Sequence, residues 1–171
     1  MGYDLYVCDT EGNDLPESRL NLTMDSTDDQ FDAELERRHK SRTYLRRGGG
    51  TLGHLITGMV SAGMAYAAKS PPKFPDRPGK EHFDNYYDPI TEEGREYHRQ
   101  FAHALRTTGD ERPGIPIHKF SSNDGWWVTV HECRSALAMW ELEGQPQGAG
   151  FRDDFIPFLI KAAENGGFRV C

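Results

Sequence analysis

The chain has 171 residues and contains little of what marks several common protein classes. Its three cysteines, Cys8, Cys133 and Cys171, are far apart and form no C-x-x-C pair, so neither a disulfide framework nor a four-thiolate metal site is predicted. This cysteine usage favours a reducing, cytoplasmic location. Acidic residues outnumber basic ones, and the formal net charge of −7 argues against a nucleic-acid partner, because such binding needs lysine and arginine to neutralise phosphates.

Long hydrophobic runs are also missing. Residues 1–9 have neither the basic segment nor the apolar core of a secretory signal peptide. The most apolar segment, residues 51–68, contains His54 and several small polar residues, so it predicts a buried helix and not a membrane span. We therefore expect no membrane partner and a single domain over residues 1–171, since domains typically contain roughly 100–200 residues.

The usual signatures of enzymes are absent as well. No G-K-[S/T] follows the glycines at 48–50, no H-E-x-x-H offers zinc ligands, and no G-x-S-x-G frames a serine nucleophile. His98 and His103 are five residues apart, which is poor spacing for chelation on one helix face. We therefore expect no metal and no cofactor; the missing signatures weigh against an enzyme but leave the question of catalysis open.

Hydrophobic periodicity predicts an α+β fold, with a small mixed or antiparallel sheet of three to five strands, about five helices and one long proline-rich loop. Period-two alternation predicts strands at residues 3–8, 19–24, 115–120 and 168–170. Helices are predicted at residues 31–47, ended by the glycines at 48–50, then after the capping residues Thr51, Thr91 and Thr129, and at residues 151–164. Residues 70–89 contain five prolines and form the loop, which its aromatic residues should hold in order, and residues 144–150 form a short linker.

The stretch HKFSSNDGWWVT, residues 118–129, is the first candidate for a ligand site. Asn123 and Asp124 before a glycine are typical of a tight turn. Turn chemistry does not explain Trp126 and Trp127, whose side chains must point to opposite sides of an extended chain, so one should enter the core and the other lie at a surface or cleft. An exposed indole beside an amide and a carboxylate suits a flat polar ligand. The expected ligand-binding residues here are His118, Ser121, Ser122, Asn123, Asp124, Trp126 and Trp127. A purely structural turn is the alternative interpretation.

The stretch RRGGGTLGH, residues 46–54, is the second candidate. A glycine-rich turn that leads into a helix offers free backbone N–H groups to an anion, and Arg46 and Arg47 could close over it. The alternative is a break between elements with two surface arginines.

Two catalytic alternatives stay open on residue types alone. Ser121 or Ser122 with His118 and Asp124 supplies the members of a serine triad, although proximity in sequence does not establish triad geometry. His118, His131 and Cys133 supply the residue types of a zinc site.

Three segments resemble a loose group of small, uncharacterised bacterial and phage proteins. These segments are MGYDLYV at the start, HKFSSNDGWWVT in the middle and FIPFLIKAAENGGFRVC at the end. Members of that group open with MGxD and a strand, carry an NDG segment near a histidine and close with a helix and GGF. The YLRR at residues 44–47 is similar to a Tyr-Phe-Arg stretch in the group. No activity is established for these proteins, so the resemblance implies common ancestry and, for phage members, the capture of a host molecule.

These observations predict a non-enzymatic binding protein that sequesters a small polar, nucleotide-like ligand in a phage- or defence-related role. Trp126 or Trp127 would stack on the ligand, while Arg46 and Arg47 would meet a phosphate. The alternative is a module for protein–protein interaction or inhibition, which docks through the acidic surface and the aromatic loop at residues 74–87. A hydrolase or metal-dependent enzyme is the second alternative.

Overall fold

The computed structural model of the chain describes residues 2–19, 21–108, 112–142 and 150–171. Within these ranges it contains five α-helices, a four-stranded antiparallel sheet and a separate pair of short parallel strands, which confirms the predicted α+β fold. The strands are β1 (Gly2–Val7), β2 (Tyr44–Gly48), β3 (Ala65–Tyr66), β4 (Ile115–Pro116), β5 (Trp126–Val128) and β6 (Phe168–Val170). The helices are α1 (Asp28–Ser41), α2 (Gly49–Ser61), α3 (Glu92–Arg106), α4 (Val130–Leu142) and α5 (Ile156–Glu164).

The main sheet has the strand order β2-β1-β6-β5, so its two central strands come from opposite ends of the chain. Leu5 of β1 lies opposite Leu45 of β2 on one side and opposite Val170 of β6 on the other. Trp126 of β5 also lies opposite Val170 and completes the second edge. Strands that are far apart in sequence therefore depend on each other for their hydrogen bonds.

One face of this sheet forms the hydrophobic core. Alternate residues of each strand share a face, so Leu5 and Val7 point to the same side as Val128 and Phe168, and all four are fully buried. Helices α2 and α5 contact β1. Their buried residues are Leu52, Leu55, Met59, Ile156, Phe158, Leu159, Ala162 and Ala163. Apolar contact between helices and sheet thus encloses a single core.

The predicted helix at residues 31–47 is wrong in its second half. Helix α1 ends at Ser41, where Arg42 takes the left-handed conformation (φ 57°), and the chain continues as strand β2. Residues of β2 are compatible with a helix, but pairing with β1 overrides that weak preference. The glycines at 48–50 do not end a helix either, because Gly48 caps the start of α2.

Two predicted strands are also corrected. The described residues of 19–24 form no strand, because Asn21 donates its N–H to Glu34 and Thr23 donates its N–H to the hydroxyl of Ser26. The strand predicted at 115–120 is limited to Ile115–Pro116, and residues 117–120 form a 3-10 turn.

Several local predictions are confirmed. Thr129 and Glu132 form the predicted capping box at the start of α4. The proline-rich loop is held against the body by its aromatic residues, since the ring of Phe74 stacks on Phe101 with 4.6 Å between centroids and lies 5.1 Å from Trp126. Of the predicted linker at residues 144–150, only Gly150 lies within the described residues.

A fully buried ion pair joins the segment before β5 to helix α4. The Nζ of Lys119 donates to the Glu132 carboxylate at 2.8 Å and to the carbonyl oxygen of Trp127 at 2.7 Å. Glu132 also accepts hydrogen bonds from the Thr108 hydroxyl and the Thr129 N–H. Burial lowers the pKa of Lys119, because the charged form loses its hydration. Both charges are therefore stabilised by each other and by buried polar groups.

We predict that Lys119→Met destabilises the protein by about 3–5 kcal/mol, since it leaves a buried carboxylate without its cation. Urea-induced unfolding, followed by circular dichroism, measures this loss. The double variant Lys119→Met/Glu132→Gln should lose less, because no uncompensated charge is left inside. Equal stability of Lys119→Met and the unchanged protein would show that the pair is not formed.

A second ion pair anchors α1 to the segment before it. The guanidinium of Arg37 donates to both oxygens of Glu34 and also to the carbonyl oxygens of Glu17 and Arg19. The hydrogen bond from Arg37, together with the N–H of Asn21, lowers the pKa of Glu34 to about 2. The Glu34 carboxylate thus stays charged well below its ordinary pKa of 4.5.

We predict that this contact loses its stabilising effect as the pH falls from about 4.5 towards 2. The pKa of Glu34 is lower in the folded than in the unfolded chain, so its contribution is complete above the unfolded value and disappears on protonation. Urea unfolding at several pH values should show a steeper acid loss for the unchanged protein than for Glu34→Gln. As a control, Glu36→Gln removes only an exposed pair with Lys40 and should alter this dependence little.

Candidate functional site

The segments MGYDLYV, YLRR, HKFSSNDGWWVT and FIPFLIKAAENGGFRVC contribute the four strands of the main sheet. MGYDLYV contains β1, YLRR contains most of β2, HKFSSNDGWWVT contains β5, and the final segment ends in β6. These segments are distant in sequence, yet they are hydrogen-bonded neighbours in the structure. The four segments therefore form one continuous structural unit.

Trp126 points into the core and is only 3 % exposed. Its indole N–H donates to the Ser122 hydroxyl at 3.0 Å, and that hydroxyl in turn donates to the Asp124 carboxylate at 2.5 Å. The ring packs against Phe74 and lies edge-on to His118, with 5.0 Å between the two centroids. The predicted stacking of a ligand on Trp126 is therefore not favoured, because protein groups already cover this ring.

Trp127 points to the opposite face of the sheet, as the extended chain requires. Its N–H donates to the carbonyl oxygen of Gly166 at 2.8 Å, and the Arg106 guanidinium lies 4.5 Å from the ring centroid. Gly12 lies so close to the ring that a Cβ there would come within 2.9 Å of it. This half-buried indole therefore holds the loops at Gly12 and Gly166 against strand β5, at the edge of the sheet.

The remaining polar groups of the same segment also bond to the protein. Asn123 donates its side-chain N–H to the carbonyl oxygen of Gly2 at 3.0 Å, and Ser121 donates its hydroxyl to the carbonyl oxygen of His118. The geometry therefore favours the structural-turn interpretation, in which this segment ties β5 to the start of β1. It also gives the serines no triad geometry, because both hydroxyls donate to oxygens within the turn.

We predict that Ser122→Ala destabilises the protein by about 1–3 kcal/mol, because it leaves the buried N–H of Trp126 without an acceptor. Urea unfolding followed by tryptophan fluorescence measures the loss. Ser121→Ala is the matched control, since it removes a more exposed hydroxyl that no indole uses. Similar losses in the two variants would contradict the role given to Ser122.

Arg46 and Arg47 point in opposite directions, because successive residues of a strand face opposite sides. Arg46 is 69 % exposed on the outer face of the sheet, with its Nε 3.8 Å from the Asp4 carboxylate. Arg47 lies on the core side with only 19 % exposure and donates to the carbonyl oxygen of Gly150 and to Asp154. The two arginines therefore cannot close together over one anion.

The outer face of the sheet has a polar and aromatic layer of its own. The buried Arg38 guanidinium lies 3.5 Å above the ring of Tyr44, and the Tyr44 hydroxyl donates to Asp4 at 2.5 Å. Burial, with the hydrogen bond to Asp4, raises the pKa of Tyr44 to about 12. This phenol therefore stays protonated and donates a structural hydrogen bond between β2 and β1, while the contact of its ring with Arg38 joins α1 to the sheet.

The three cysteine thiols have no activating surroundings. Cys8 and Cys133 are buried and Cys171 is partly exposed, and all three are free. Burial raises the pKa of each thiol, to about 12 for Cys8. A nucleophilic cysteine needs a lowered pKa, so these thiols do not suit nucleophilic catalysis.

A cleft lies between helix α2 and the turn at residues 151–155. Its volume is about 360 Å³, and it is partly open to solvent. Its walls are mostly apolar, and Gly58 packs so closely on the ring of Phe151 that a Cβ would lie 3.4 Å from it. Residues Arg47, Thr51, His54, Leu55, Gly58, Gly150 and Phe151 line the cleft. Those from α2 recur at helical spacing, so one stripe of that helix forms a wall.

The end of the cleft at Arg47 is positively charged. The carboxylate of Asp154 lies 3.2 Å from the Arg47 guanidinium, 3.7 Å from that of Arg42 and 3.5 Å from the ring of His39. One carboxylate is thus shared by two guanidinium groups and an imidazole. Two guanidinium groups face one carboxylate beside the cleft, and Arg47 is the cation that also lines it, which favours an anionic group there.

Sequence reasoning found only part of this cleft. It selected Arg47 and the stretch up to His54, but not Phe151 or Asp154, which are about a hundred residues away in the chain. The glycine-rich stretch was the only local signal. The contact between Gly58 and Phe151 has no sequence signature, because it depends on how α2 packs against a distant turn.

Across the described ranges, no group of three or more His, Cys, Asp or Glu residues is placed to hold a metal ion, which argues against the zinc site considered for His118, His131 and Cys133. In that part of the chain, no helix combines the length and the apolar character that crossing a bilayer demands.

Comparisons of the chain with protein-family models, curated proteins and solved structures find no match. The cleft itself is therefore the basis for an assignment of function.

Proposed function

We propose that this protein binds a small anionic molecule in the cleft between α2 and Phe151 and acts by sequestering it. One observation supports this above all others: a cavity of about 360 Å³ combines apolar walls with a largely buried guanidinium. Pockets for small molecules typically measure roughly 300–1,000 Å³ and combine an apolar lining with a few orienting polar groups.

The lining indicates the kind of ligand. Leu55 and Phe151 suit a compact apolar body, whereas Arg47 suits a carboxylate or another oxyanion through charge-assisted hydrogen bonds. His54 and Thr51 lie at the same cleft and provide further polar contact. The anionic character matches the ligand expected from the sequence, but the binding place moves from the tryptophans to Arg47.

Binding is favoured over catalysis by the state of the polar groups. The Thr51 hydroxyl donates to the carbonyl oxygen of Gly48 at 2.8 Å, so its proton is already engaged. Among the ion pairs of the described residues, none holds His54 beside a carboxylate that could orient it as a base.

We propose the reducing cytoplasm as the location, which agrees with three free thiols.

A second candidate function, docking of a protein partner, is favoured by the tip of the proline-rich loop. Tyr86 is 87 % exposed there, and Tyr87 and Ile90 are also largely exposed. Two N–H groups, from Tyr86 and Asp88, bind the Asp84 carboxylate and hold this tip in shape. Cross-linking followed by mass spectrometry tests this function, because a docked partner should be joined at this loop and lost in Tyr86→Ser.

For the cleft, we predict that Arg47→Gln weakens binding of naphthoate, a small apolar carboxylate, by about tenfold or more. A hydrogen bond to a charged group contributes about 1.5–3 kcal/mol, and 1.4 kcal/mol corresponds to a factor of ten. Isothermal titration calorimetry measures the affinity. Arg46→Gln is the matched control, because it makes the same change at the next residue but on the opposite face of the sheet.

A second variant tests the cleft without changing its charge. Thr51→Phe should fill the cavity and prevent binding, whereas Thr57→Phe, on an exposed part of the same helix, should not. The proposal fails if naphthoate and a panel of small carboxylates and phosphate esters all leave the calorimetric signal unchanged. It also fails if both arginine variants bind equally.

A further inference from the structure

Asp154 already offers Arg47 the kind of group that the proposed ligand would bring. Its Oδ2 accepts a hydrogen bond from Nη2 of Arg47 at 3.2 Å, and the carbonyl oxygen of Gly150 accepts from the same atom at 3.0 Å. Arg47 and Gly150 line the cleft, and the Asp154 carboxylate reaches the same guanidinium from beside that lining. A carboxylate of the chain thus takes up part of the hydrogen-bonding capacity that a bound anion needs.

The other oxygen of Asp154 has different partners. Its Oδ1 lies 3.5 Å from Nε2 of His39 and 3.7 Å from Nη1 of Arg42. The Asp154 side chain is 30 % exposed, so water reaches it as well. If Asp154 gave up Arg47, its charge would still be compensated by Arg42 and hydrated, and the exchange would leave no buried charge alone.

We propose that Asp154 is an internal competitor of the ligand, and that the ligands of the cleft are monocarboxylates with a compact apolar body. In this exchange the ligand carboxylate replaces Oδ2 of Asp154 on Arg47, while Oδ1 stays with Arg42 and His39. The inference rests on the proposed function of the cleft and adds two things to it: the chemical class of the ligand and a residue that limits its affinity.

The competition has a consequence for selectivity. A monocarboxylate matches the group that it displaces, and the number of charge-assisted contacts at Arg47 is unchanged. A neutral analogue of the same shape cannot replace a carboxylate on a guanidinium and would bind only through the apolar walls. Asp154 therefore lowers the affinity for carboxylates and has little effect on neutral molecules.

The test compares Asp154→Asn with Asp153→Asn, using naphthoate and its neutral carboxamide as probes. Asp153 is the matched control, because its substitution changes the net charge equally at the neighbouring residue, where the carboxylate pairs with exposed Arg152. We expect Asp154→Asn to bind naphthoate about tenfold more tightly, since one charge-assisted contact no longer competes. The control should change the affinity little, and the carboxamide should bind all three proteins equally.

Circular dichroism and thermal unfolding establish that each variant is folded, and Asp154→Ala repeats the test without an amide. Unchanged or weaker naphthoate binding in both Asp154 variants would overturn the inference, while the cleft would still stand if Arg47→Gln abolished binding. An equal gain in naphthoate affinity in Asp153→Asn would show that the effect comes from net charge alone, and it would also overturn the inference. If naphthoate bound none of these proteins, the inference would be overturned, and if the panel of small carboxylates and phosphate esters did not bind either, the proposed function itself would fail.

Discussion

The structure depends on the pairing of β1 with strands on both of its sides. A strand that is hydrogen-bonded on both edges has a fixed register, and a fixed register decides which residues face the core. In β1 this places Leu5 and Val7 inside and Asp4 and Tyr6 outside. The pairing of β1 with β2 places Arg46 and Arg47 on opposite faces of the sheet. Of these two arginines, only Arg47 therefore reaches the cleft. The position of the proposed ligand site is therefore a consequence of strand pairing.

Features that depend on neighbouring residues could be predicted from the sequence. The capping box of Thr129 and Glu132 formed as expected, as did the cap at Thr91, because all three hydrogen bonds join groups three residues apart. The strand at residues 168–170 was also correct. For residues 44–47 the sequence predicts the end of a helix, but they belong to β2. These residues tolerate both conformations, and the strand that decides between them lies about forty residues earlier.

The candidate site was harder to predict for the same reason. Two adjacent tryptophans are a conspicuous local pattern, but the acceptors of their N–H groups, Ser122 and the carbonyl oxygen of Gly166, show that they fasten the sheet. The cleft shows the reverse relation between local sequence pattern and proposed role. Its local pattern is modest, and its walls come together only when Phe151 packs against Gly58. Sequence can reveal the residue types of such a site, but folding sets the distances between them.

The central position of β1 and β6 has a further meaning for how the protein is made. Asp4 and Cys171 exchange both of their backbone hydrogen bonds, at 2.7 and 2.8 Å, so two segments that are synthesised at very different times lie side by side. Until the residues of β6 have been synthesised, β1 has only β2 to pair with in this sheet, and one of its edges is open to other chains. A growing chain therefore exposes a strand edge that β6 later covers.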